Sequence, residues 1–181
     1  MEELTSQKKS NVLFQFGIIA ALASLLIYVI VYVAGTDFYG SGISMFISFV
    51  LPIAIAVLAC IRAKKENGGY LEFSQALKIC FGVLVIASLT TSVFNYLLVN
   101  YFDPAFGERI VQLSIEKTQS ILEKIGTPQD AIDKSIREMT FEKLFSAKSV
   151  FQSFMLGCIV QFIFALIIAA IMKKNKPEFA V

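Results

Sequence analysis

The chain has 181 residues, of which 56% are apolar, and it carries a formal net charge of +2. Its mean hydropathy is +0.70, well above that of an ordinary soluble domain, while its length suits one domain, residues 1–181. Histidine is absent, which removes the usual general base at neutral pH and the commonest metal ligand.

Lys and Arg are missing between Ser10 and Ile61, between Ile79 and Tyr101, and between Ser149 and Met172. A bilayer core about 30 Å thick needs about 20 apolar residues of helix. Val12–Ala34 meets that requirement, and its apolar run is too long for a signal-peptide core, so it reads as a retained helix. Ile43–Ile61 is the second candidate, with Pro52 near its centre as a source of a kink. Leu77–Val99 and Val150–Met172 are the third and fourth. Only helices satisfy their own backbone groups in lipid over such lengths.

Orientation follows from the basic residues flanking short loops. Lys8, Lys9, Arg62, Lys64, Lys65, Lys78, Lys173, Lys174 and Lys176 fall on one side of a four-span layout, and the Gly35–Gly42 loop has no basic residue. That side reads as cytoplasmic, with both termini. Tyr28, Tyr32, Phe38 and Tyr39, then Tyr96, Tyr101 and Phe102, then Phe141, Phe145, Phe151 and Phe154, gather at the opposite end, where aromatic residues favour the headgroup level.

In span one Gly17, Ala20, Ala21 and Ser24 form a small-residue face suited to close helix packing. Between spans two and three, Gly68-Gly69 predicts a sharp turn with φ > 0. Tyr70, Leu71 and Phe73 are expected at the membrane interface, and Ser74 as the cap of span three. Ser88, Thr90, Thr91, Ser92 and Asn95 in span three and Gln161 in span four are expected to hydrogen-bond across helices, Gln161 to Ser88 or Thr91. No Asp, Glu, Lys or Arg is embedded in a span, which argues against a proton- or ion-coupled pump. Cys60, Cys80 and Cys158 form no metal spacing and read as small buried apolar side chains.

Residues 103–148 are the one long polar stretch, with seven basic and eight acidic residues. Asp103-Pro104 reads as a helix start. Val111, Ile115, Thr118, Leu122 and Ile125 repeat at helical spacing. Gly126 stops this helix, Thr127 caps the next and Pro128 opens it. Ile132, Ile136 and Met139 form the second stripe. The pattern predicts a two-helix hairpin outside the membrane, with Val111, Ile115, Leu122 and Ile125 packed on Ile132, Ile136 and Met139.

Gly-Gly-Tyr-Leu-Glu-Phe-Ser-Gln-Ala at 68–76 before a span, Asp103-Pro104 after it, and the four-span layout resemble a family of small Bacteroidota membrane proteins known only as a domain of unknown function. The resemblance covers nearly the whole chain and implies a bacterial inner-membrane protein; it brings no activity, ligand or catalytic residue.

The fold class is therefore an all-α integral membrane bundle with four transmembrane helices. No residue is assigned a catalytic, cofactor-binding or metal-ligating role, and no cofactor is expected. The function expected is that of a non-enzymatic accessory or scaffold acting through helix contacts; the alternative is a small oligomeric transporter or channel-like subunit. The expected partners are the bilayer and a protein partner or second copy, not nucleic acid.

Overall fold

A computed structural model describes residues 2–175, with side chains from Asn11 onward. Four helices are long and apolar enough to cross a membrane: α1 (Glu2–Ala34, its apolar part Asn11–Ala34), α3 (Gly42–Glu66), α4 (Phe73–Leu97) and α8 (Ala147–Met172). Between α1 and α3 lies a single turn, α2 (Thr36–Tyr39). After α4 come a π-helical segment (Leu98–Phe102), then α5 (Pro104–Lys124), α6 (Gln129–Arg137) and α7 (Phe141–Phe145). The helices overrun the apolar runs that reveal them. The third extends unbroken from Phe73 to Phe102, 30 residues, or about 45 Å of helix. A span that long tilts or emerges from the bilayer.

The bundle is organised around α4, which packs on α1, α3 and α8. α1 and α4 run side by side in parallel, because each supplies a glycine for the other's side chain. A methyl at Gly82 would lie 2.7 Å from Leu13 Cδ1, and one at Gly17 would lie 2.6 Å from Ile86 Cδ1. Lipid tails give apolar helices no drive to associate, so such close backbone approach supplies the attraction. Ala20 and Ala21 of the small-residue face are buried as expected. Cys60 of α3 and Cys80 of α4 are also buried, with their sulfurs 2.9 Å apart. Their packing agrees with the small-apolar reading; their juxtaposition arises because α3 and α4 are antiparallel neighbours.

At the end where α3 passes to α4, both glycines of the turn have positive φ, Gly68 +66° and Gly69 +88°. They close a Schellman turn in which Gly68 N–H donates to the Lys65 carbonyl and Gly69 N–H to the Lys64 carbonyl. Two expectations fail beside it. Leu71 is fully buried rather than interfacial, because Leu71 and Lys174 exchange both backbone hydrogen bonds (2.9 and 2.8 Å) and pull the loop under the end of α8. Ser74 is not the cap: α4 begins one residue before it, at Phe73, with Glu72 in the capping position. Lys64 Nζ donates to the Met172 carbonyl at 3.1 Å, so the basic residues Arg62–Lys65, Lys78, Lys173 and Lys174 share one end of the molecule. The side chains of Lys8 and Lys9, and Lys176 altogether, lie outside the described residues.

At the opposite end, Asp103 caps α5 by accepting from Phe106 N–H at 2.9 Å, with Pro104 at the first helical position. α5 ends in a second Schellman turn on Gly126, φ +77°, with Thr127 N–H donating to the Leu122 carbonyl. Thr127 makes no side-chain cap, and α6 starts at Gln129, one residue after Pro128. The stripe pairing also differs from expectation. Val111 is buried, and with Ile115 it joins a cluster of Leu98, Val99, Phe106, Ile110 and Phe145, so the first half of α5 packs on the helix ends instead of on α6. α6 packs on the second half of α5 through Ile132, its one buried residue. Ile125 is 71% exposed and Met139 falls beyond the end of α6.

Candidate functional site

Several tyrosines expected to face headgroups turn inward instead. Tyr28 stacks edge-on against Phe94 (ring centroids 5.6 Å apart) and donates its hydroxyl to Asn95 Oδ1 at 2.5 Å. Tyr32 packs edge-on against Phe106 at 4.7 Å and donates to Asp103 Oδ2 at 3.0 Å. Tyr39 meets the same Phe106 ring from another side, at 5.8 Å. The π-helical segment turns the chain here, and Asn100 Nδ2 reaches across to the Phe145 carbonyl at 3.1 Å. The Phe106 N–H above all, then the Tyr32 hydroxyl and the Arg109 guanidinium 3.7 Å away, hold the Asp103 carboxyl below the usual carboxylate range. This joint fixes α5 across the end of the bundle. Tyr101, Phe102 and Phe151 remain exposed at the positions suited to an aromatic belt.

Beneath the joint lies a cavity of about 560 Å³ bounded by α1, α3, α4 and α8, a size ordinary for small-molecule sites. α8 meets the bundle through the Gln161–Ser88 bond and through edge-on pairs of Phe162 with Phe81 of α4 and of Phe164 with Phe49 of α3, ring centroids 5.4 and 4.9 Å apart. The buried residues of α8 are Ala165, Ile168 and Ala169, all in its last two turns, whereas Met155, Leu156, Ile159 and Val160 are exposed. α3 and α8 leave space beside the Phe49–Phe164 pair, and both rings line the cavity. Tyr39, Gly40, Leu113, Ser114 and Lys117 close the α5 end of the cavity; Leu51, Pro52, Ile53, Leu84 and Ala87 line its deeper part. Beyond that depth the helices pack tightly, with Ala56, Ala59, Cys60, Ala76, Cys80 and Val83 all fully buried.

The wall is apolar with hydroxyls and one amide set into it. As expected, Gln161 bonds α4: its Oε1 accepts from Ser88 Oγ at 3.3 Å. Thr90 and Thr91 do not cross between helices; each hydroxyl donates to its own helix, to the Ile86 and Ala87 carbonyls. Such back-bonding is the ordinary way for a hydroxyl to be satisfied in an apolar setting. Ser24 departs from it. Ser24 borders the cavity, and its Oγ is buried with no partner among the described residues. Pro52, which has no N–H, leaves the Ser48 carbonyl without its helical donor, and both residues line the same space. A buried polar group without a partner costs about 1–3 kcal/mol, so the Ser24 hydroxyl is a polar atom left unsatisfied beside this space.

The matched family model covers residues 15–174. The chain belongs to the family described as "Protein of unknown function (DUF4199)". No curated protein and no solved structure matches it. Membership of the family thus agrees with the likeness read from Gly68–Ala76 and Asp103-Pro104 and adds no chemistry to it.

The polar span residues Ser88, Ser92 and Gln161 were legible in the sequence, and all three line the cavity. Ser24 was legible only as part of a packing face. Ser44, Ser48 and Lys117 were missed. Ser44 and Ser48 stand four apart just before Pro52, as Ser88 and Ser92 do in α4, and that i, i+4 recurrence of hydroxyls within apolar helices was the available signal. Among the described residues no three His, Cys, Asp or Glu side chains come together.

Proposed function

We propose that this is a multi-pass protein of the bacterial inner membrane, with both termini cytoplasmic, that binds and does not catalyse: a non-enzymatic accessory protein holding an amphiphilic guest in the cavity beside α8. The observation that carries this reading is a space of about 560 Å³ walled mainly by apolar residues, with the polar side chains of Ser44, Ser48, Ser88 and Gln161 set among them. The orientation rests on the shared end of Arg62, Lys64, Lys65, Lys78, Lys173 and Lys174, and it puts α5 and the cavity mouth on the outer side. Met45 and Phe49, 68% and 45% exposed, border the cavity on its lipid side, so a guest enters from the bilayer. Occupancy would tie α3 to α8, and the guest-dependent position of α8 is what a partner protein or second copy would read.

The alternative is a small oligomeric transporter subunit. It needs a route through the deeper half of the bundle, and the tight packing of Ala56, Ala59 and Val83 there favours holding over passage. The test is saturable uptake. Delipidated protein in neutral detergent is titrated with monoolein and followed by native mass spectrometry, alongside Ser48→Phe, which fills the mouth from an exposed position. Uptake by the wild type with loss in Ser48→Phe is expected. Equal uptake by both, or no uptake of monoolein or of any anionic amphiphile offered beside it, returns the chain to a scaffold that acts through helix contacts alone.

A further inference from the structure

We propose that the guest carries an anionic head group, received by Lys117 at the outer end of the cavity; the inference rests on the guest-holding reading above and names the class of guest. Among the described residues that line the cavity, Lys117 is the sole charged one, and no carboxylate joins it. Its ammonium makes no ion pair among those residues; it donates to a neutral acceptor, the Gly40 carbonyl. An ammonium has three donors, so two remain for a ligand. An uncompensated cation at the mouth of an otherwise uncharged, mainly apolar space selects for the opposite charge.

Depth supports the same assignment. Gly40 lies just past the end of α1, where a lipid head group would sit, and Ser24 lies about 15 Å of helix deeper. The wall also offers Ser114, Ser44 and Ser92, and, deeper than Ser24, Ser88 with the Gln161 amide, since the Gly17–Ile86 and Gly82–Leu13 contacts set Ser88 level with the part of α1 below Ser24. Gln161 Oε1 is taken by Ser88, which leaves its NH₂ as a donor. The cavity therefore presents a cation at head-group depth, then hydrogen-bond donors suited to a carbonyl or hydroxyl, then apolar side chains. That order is the order of groups along an anionic lipid: charged head, polar junction, hydrocarbon chain. A water-soluble anion would meet the exposed Lys117 but leave the apolar wall unfilled, whereas an anionic lipid satisfies both.

Lys117 is exposed, so its replacement should leave the fold intact, which circular dichroism checks. Delipidated wild-type protein and the variants Lys117→Gln and Lys117→Glu are titrated in neutral detergent with oleate, with palmitoyl-oleoyl phosphatidylglycerol and with monoolein, binding being read by native mass spectrometry and by the rise in melting temperature that any native-state ligand produces. The expected result is that wild type prefers at least one anionic probe over monoolein by about tenfold or more, the scale of one charge-assisted hydrogen bond. Lys117→Gln should lower that probe's affinity to the monoolein level without changing monoolein binding, and Lys117→Glu should lower it further. Oleate against phosphatidylglycerol tells whether the carboxylate of a free fatty acid or the phosphodiester of a phospholipid is the head group. Monoolein binding as tight as both anions in wild type, or full anion affinity in Lys117→Gln, overturns the inference while leaving the guest-holding reading intact. Failure of all three probes to bind overturns both.

Discussion

Phe106→Ala should release α5 from the end of the bundle. Phe106 is 1% exposed, and its ring is met edge-on by Tyr32 and Tyr39. Burying a phenyl group contributes about 2–3 kcal/mol, and each edge-to-face pair adds roughly 0.5–1 kcal/mol. The truncation should therefore cost about 3–5 kcal/mol, the usual range for Phe→Ala in a packed site. The spans do not absorb this loss, since they cannot leave the bilayer. It falls on the docking of α5, whose helix with α6 would be marginal on its own in water. Docking weakened by that amount raises the undocked population by roughly two orders of magnitude or more. Native-state hydrogen exchange of the protein in nanodiscs reads this directly. Amides of Ile110–Thr118 should lose about a hundredfold in protection, while those of Ala56–Cys60 and Ile79–Leu84 keep theirs. Ile125→Ala, at a residue 71% exposed, should change nothing beyond about 0.5 kcal/mol. Unaltered protection of α5 in Phe106→Ala, or a larger effect from Ile125→Ala, would show that the stripe packs as a self-contained hairpin and that the joint at Phe106 is incidental.

Four further outcomes are expected. Single cysteines at positions 40 and 126, in a background lacking Cys60, Cys80 and Cys158, should react with an impermeant thiol reagent on intact cells, whereas one at 68 should not; labelling at 68 alone reverses the orientation. Gln161→Leu should destabilise the bundle by about 1 kcal/mol or less in a detergent melt, the usual worth of an interhelical bond in a membrane, and a loss of several kcal/mol would mean that Gln161 anchors more than Ser88. Gly126→Ala should cost about 1 kcal/mol, since φ +77° strains any residue with a Cβ even though no neighbouring atom lies within 4 Å; a neutral result would mean that the turn rearranges. Because the Asp103 carboxyl is held below its ordinary range, its contribution is complete above about pH 4 and is lost as pH falls through the folded-state value. Asp103→Ala should therefore lower the melting temperature by a constant margin from pH 5 to 8, with the gap closing at lower pH; a gap that varies across pH 5–8 would implicate another group.

How much was legible depended on the distance over which each signal acts. The four long helices, the Gly68-Gly69 and Gly126 turns and the Asp103-Pro104 start could be read directly because each is dictated within one or two helical turns: by the cost of bare backbone in lipid, by the φ only glycine adopts freely, and by a carboxylate placed to accept a nearby N–H. The Gln161–Ser88 bond could be anticipated because few polar partners exist at that depth. What the sequence could not decide was which apolar surface faces which. Val111 and Ile115 read equally well as half of a hairpin, yet they pack on the helix ends because Phe106 and the inward-turned Tyr32 and Tyr39 create a deeper site there than α6 offers. Leu71 looked interfacial until the backbone pairing with Lys174 buried it. The cavity is the purest case. It is space left between α1, α3, α4 and α8, and a space between elements distant in the chain has no local sequence to announce it. Residues that contribute to it from five helices, Ser24, Ser48, Ser88, Lys117 and Gln161, are each unremarkable alone. Only the tertiary packing puts hydroxyls, an amide and an ammonium that makes no ion pair among the described residues around one space.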